Sequence, residues 1–138
     1  MYHPRLITAF ALAGLASLLF LQPALAAPLL RCNVTYAGAS QLVEATPVSD
    51  PYPVPSVDIG GRFRFKAVMV GSAAQIDRIV LYAYLDAGAQ PTLVQQAKYL
   101  PPFAPSAAPY LLTGEQRLYA GPVERELIYS CTLQGVQP

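Results

Sequence analysis

The chain predicts an all-β fold, a small single-domain β-sandwich behind a cleaved N-terminal signal peptide. Three observations carry this. Beyond residue 27, apolar and polar residues alternate with a period of two in one segment after another, as in strands with one buried face. Gly, Pro, Asp and Ser punctuate those segments at roughly ten-residue intervals, the spacing of turns in sandwiches and barrels. The first 26 residues follow a different pattern, that of an export signal.

In that leader, Arg5 supplies a positive start, and Leu6 to Leu21 is apolar except for Thr8, Gly14 and Ser17. Ala24-Leu25-Ala26 then places small residues where a signal peptidase reads them, with cleavage before Ala27. The apolar run is shorter than the roughly 20 residues of a spanning helix, so no membrane insertion is expected after cleavage. Residues 27–138 are therefore expected to form the mature domain, in the periplasm or outside the cell.

The strands follow in order. Leu30, Cys32, Val34 and Tyr36 alternate with Arg31, Asn33 and Thr35, which makes a half-buried first strand. Ala37-Gly38-Ala39 is a turn, and Gln41 to Thr46 a second short strand. Pro47, Pro51, Pro53 and Pro55 remove backbone donors over 47–57, which predicts an extended, polyproline-like segment and not a central strand. Gly60-Gly61 opens the clearest strand, with Phe63, Phe65, Ala67 and Met69 on the core face and Arg62, Arg64 and Lys66 opposite. Ile76 to Leu85 is apolar on both faces for most of its length, as in a central strand.

Asp86-Ala87-Gly88 is a turn, Thr92 to Leu100 a further strand, and 101–109 a second Pro-rich stretch. Gln116 to Ala120 and Val123 to Leu133 complete the sheet-forming segments. In the last, Leu127, Tyr129, Cys131 and Leu133 face inward.

Cys32 and Cys131 are the two cysteines of the chain. Exported together near the two ends of one domain, they are expected to form a disulfide that ties the first strand to the last. Tyr129-Ser130-Cys131 resembles the Tyr-x-Cys of an immunoglobulin F strand, and that resemblance implies an immunoglobulin-like sandwich with a bridge between its sheets. The chain has no Trp, the usual core partner of such a bridge.

Composition excludes several kinds of chemistry. His3, the single histidine, lies in the leader, and both cysteines are committed to the bridge, so His- and Cys-based catalysis and His/Cys metal sites are not expected. No cofactor and no catalytic residue is assigned. Only Arg5 of the nine basic residues precedes the cut, while all eight acids follow it. The neutral mature domain lacks the broad positive field that nucleic-acid binding rests on. Arg62, Arg64 and Lys66 form a basic stripe that would pair with Glu124 and Glu126 if the two strands were neighbours.

Tyr52, Tyr99, Phe103 and Tyr110 lie in or beside the two Pro-rich stretches. Rigid extended loops lose little entropy on binding, so these four aromatics are the candidate binding residues. The expected function is an exported, non-catalytic binding or assembly module of a bacterial envelope, whose partner is an envelope protein or a second copy of itself. The alternatives are a structural subunit of a surface polymer and a carboxylate-dependent glycan hydrolase.

Overall fold

The computed structural model describes residues 26–138; the expected signal peptide, apart from Ala26, lies outside them. Ten strands run in chain order: β1 (Leu29–Tyr36), β2 (Ala39–Ala45), β3 (Pro47–Val48), β4 (Val57–Ile59), β5 (Phe63–Gly71), β6 (Ile76–Leu85), β7 (Thr92–Tyr99), β8 (Tyr110–Leu111), β9 (Gln116–Ala120) and β10 (Arg125–Gln134). They build two sheets, with no helix among the described residues. The first runs β2-β1-β10, with β8 and β9 sharing the far side of β10. The second runs β5-β6-β7, with β3 and β4 sharing the outer side of β5. Only Thr46 separates β2 from β3, so the chain crosses from one sheet to the other there.

The alternation read from the sequence sets the core. Phe63, Phe65, Ala67 and Met69 of β5 meet Ile79, Leu81 and Ala83 of β6 and Leu127, Tyr129, Cys131 and Leu133 of β10, all buried in one cluster. Leu30, Cys32 and Val34 of β1 complete it. Phe65 and Tyr129 meet across the layers with ring centroids 4.9 Å apart, and Tyr36 meets Phe63 edge-on at 5.4 Å.

The Pro-rich segment 47–57 is not wholly free of strand pairing. Pro47–Val48 runs parallel to Met69 and Val70 of β5, and Val57 pairs Phe65 in the antiparallel sense. Both pieces lie on the sheet edge, where a missing N–H costs no ladder bond.

The disulfide is present: Cys32 and Cys131 are direct partners in the β1–β10 ladder, with Cα atoms 4.0 Å apart. The immunoglobulin resemblance implied a bridge between sheets; this one joins neighbouring strands of one sheet. The Cys131 N–H and C=O point away from β1, toward the gap between β8 and β9. There the Thr113 hydroxyl accepts from the Cys131 N–H at 3.0 Å, and the Leu112 N–H donates to the Cys131 carbonyl at 2.9 Å. The bridge is consistent with an oxidising, non-cytoplasmic compartment. No helix among the described residues is long and apolar enough to cross a membrane.

The expected cross-sheet pairing of the basic stripe with Glu124 and Glu126 does not form, because β5 and β10 lie in different sheets. Arg62 precedes β5, in the turn. Arg64 instead donates to the Ser56 hydroxyl at 2.8 Å and lies 3.5 Å from Asp86, while Lys66 stands 5.6 Å above the Tyr82 ring. Glu126 takes its cation from β9: Arg117 bridges Glu126 and Glu115, each at 2.7 Å.

Candidate functional site

The four candidate aromatics divide between two places. Tyr52 projects from the first Pro-rich loop and is 90 % exposed. Its loop is held locally: the Tyr52 N–H donates to the Asp50 carboxylate at 3.0 Å, and the Val54 N–H to the Pro51 carbonyl at 3.3 Å. The loop therefore presents the ring without burying it.

Tyr99, Phe103 and Tyr110 come together in a separate cleft, which Tyr52 does not line. They line an open cleft of about 380 Å³ with Pro102 and Leu112, and all three rings pack partly against the core. The Tyr110 hydroxyl is buried without a partner of ordinary hydrogen-bond geometry. Burial raises the phenol pKa of Tyr110, and the nearby Ala104 backbone offsets part of the rise. Burial also raises Tyr99. These three rings anchor the 100–112 segment to the sandwich as much as they offer a surface.

Around Tyr52 lies a face that the sequence reading did not single out. Side chains pointing away from the core on β5 and β6 form successive rows: Val70 beside Arg78, Val68 beside Val80, Lys66 beside Tyr82, and Arg64 beside Tyr84. On β7, Lys98 extends the Val68–Val80 row and Gln96 the Lys66–Tyr82 row. Val68, Val70 and Val80 are buried at the floor, outside the inter-sheet cluster. Tyr82 and Tyr84 stack with centroids 6.3 Å apart and planes 17° from parallel. Pro51 and Tyr52 close one side, so a cleft of about 340 Å³ runs over the valines. Burial, and secondarily the neighbouring Tyr82, raise the Tyr84 phenol pKa.

The signal for this face was in the sequence. Arg78, Val80, Tyr82 and Tyr84 occupy alternate positions, and no acid shares that side of β6. What was missing was the register that sets Lys66 and Lys98 beside them.

On the outside of the first sheet, Glu115 and Glu126 converge on Arg117, and the Tyr119 hydroxyl donates to Glu126 at 2.9 Å. The Arg117 hydrogen bond, and after it that of Tyr119, hold the Glu126 carboxyl below its ordinary pKa. Glu126 is thus an ionised partner and not a proton donor. No group of three or more His, Cys, Asp or Glu among the described residues is placed to hold a metal ion.

No protein-family model, no curated protein and no solved structure matches the chain.

Proposed function

We propose that the protein is an exported binding module of a bacterial envelope, released by cleavage before Ala27, that captures its partner on the outward face of the second sheet. The observation that supports this is the combination of an apolar floor, two stacked tyrosines and the exposed Tyr52 on one rigid face. Strands β5 and β6 are central to their sheet, so the face is preformed and little ordering entropy opposes binding. Rigid aromatic rings with polar tips are the side chains that dominate recognition surfaces.

The test is recovery of the tagged protein from its own host's envelope without reduction, followed by native mass spectrometry. The wild type should carry a bound partner. A Tyr52→Ser/Tyr82→Ser/Tyr84→Ser variant with unchanged melting should come out bare. Equal recovery of the partner by both proteins would refute the assignment of the face.

A structural subunit of a surface polymer is a second reading, favoured by one feature. Strand β7 ends its sheet without a partner among the described residues and exposes Leu93 and Val94 there. Strand addition at β7 would appear as a ladder of oligomers growing with concentration, and a single monomer band at every concentration would count against it.

A further inference from the structure

We infer that the outward face of the second sheet binds an acidic polysaccharide, a glycan carrying carboxylates along its chain. This rests on the binding-module reading and adds the chemistry of the ligand. Three cations define the charge of the face. Lys66, Arg78 and Lys98 form no salt bridge among the described residues, which include all eight acids of the chain. Lys66 and Arg78 stand two outward rows apart, about 13 Å along the strands, and Lys98 occupies the row between them on the next strand. Three separated positive points match a polymer with charge at intervals better than they match one compact anion.

The surface between the cations selects the rest of the ligand. The backbone donors and acceptors of a central strand are used in the ladder, so a peptide has nothing to pair with on the face of a sheet; peptides add at edges. Recognition on the face depends on side chains alone. A sugar ring is amphipathic, with a C–H face that can lie on a tyrosine ring and a rim of hydroxyls within reach of phenols. Tyr84 offers such a platform at one end of a two-ring stack, beside the valine floor, and the other ring of the stack, Tyr82, has Lys66 over it at 5.6 Å. Carboxylates on the chain then meet the lysine and arginine heads through charge-assisted hydrogen bonds.

The experiment titrates the mature protein by calorimetry with polygalacturonate, its fully methyl-esterified form and polyglutamate. Polygalacturonate should bind, and more weakly as salt is added. Lys66→Gln/Arg78→Gln and, separately, Tyr84→Ala should each lose tenfold or more in affinity, with melting close to wild type. The ester and polyglutamate should bind at least tenfold more weakly. Polyglutamate binding as tight as polygalacturonate would overturn the proposal in favour of an acidic peptide, and undiminished binding by either variant would overturn it as well. If polygalacturonate does not bind while the tyrosine-to-serine variant still loses its envelope partner, the glycan assignment fails and the binding face stands. If neither effect is seen, both fail.

Discussion

The Tyr129 hydroxyl donates a 2.7 Å hydrogen bond to the Gln95 side-chain oxygen, tying β10 of one sheet to β7, the edge strand of the other. Tyr129 is 1 % exposed, and burial, with Tyr99 as a lesser contributor, pushes its phenol up to about 12. In the unfolded chain the same phenol titrates near 10. The stabilisation is therefore complete below pH 10 and is lost as the pH rises from about 10 through about 12, because the unfolded chain releases this proton first. Tyr129→Phe should cost about 1–3 kcal/mol at neutral pH, by leaving the Gln95 amide without its partner. It should also flatten the alkaline loss. Urea unfolding at pH 8 and pH 11.5 checks both effects; equal pH dependence of the two proteins would show that Tyr129 is not the titrating group.

The bridge between Cys32 and Cys131 spans 99 residues of sequence. By loop entropy, closing a loop of this length stabilises by about 4–5 kcal/mol. Cys32→Ala/Cys131→Ala should lower the unfolding free energy by a few kcal/mol in oxidising buffer. Reduction should bring the wild type down to a similar level. Identical urea midpoints with and without reductant would show that the bridge contributes nothing.

Thr113 is buried, and its hydroxyl accepts from the Cys131 N–H while donating to the Gly114 carbonyl at 2.9 Å. It stands where β8 has ended and β9 has not yet begun, so no ladder bond can replace it. Thr113→Val keeps the shape and leaves the Cys131 N–H unpaired, which should cost about 1–3 kcal/mol. Hydrogen exchange at the Cys131 amide should accelerate at the same time. An unchanged rate there would mean that the hydroxyl is not the partner.

Gly71 ends β5 with φ at +143°, a region that other residues rarely adopt, and an added Cβ would run into the Gln75 carbonyl. The turn it opens is closed by the Ser72 N–H donating to that same carbonyl at 2.7 Å. Gly71→Ala should destabilise the protein by about 1–3 kcal/mol. Ala placed at Gly88, where a Cβ meets open space, serves as the control and should melt close to wild type.

The strands that alternate cleanly could be read from the sequence: Phe63 to Met69 and Leu127 to Leu133 face the core as their period of two requires. The bridge was legible because a chain with two cysteines, read as exported, has one simple pairing. Pairing partners were not legible. Nothing local to Arg64 or Glu126 says that they lie in different sheets, since strand order depends on how the whole chain closes. The candidate aromatics divided for the same reason. Tyr99 sits at an inward position of β7 and draws Phe103 and Tyr110 toward the core, while Tyr52 is held out by a turn. The proposed binding face needs the register of β5, β6 and β7 together, which no single segment encodes.

The most direct test of that face uses the valines beneath it. Methyl NMR spectra of residues 27–138 should be followed while a solubilised envelope fraction from the host is added. The methyls of Val68, Val70 and Val80 should shift, while Val34 and Val43 in the inter-sheet core hold still. Still signals from the three face valines, or shifts confined to Val94 on the β7 edge, would contradict it.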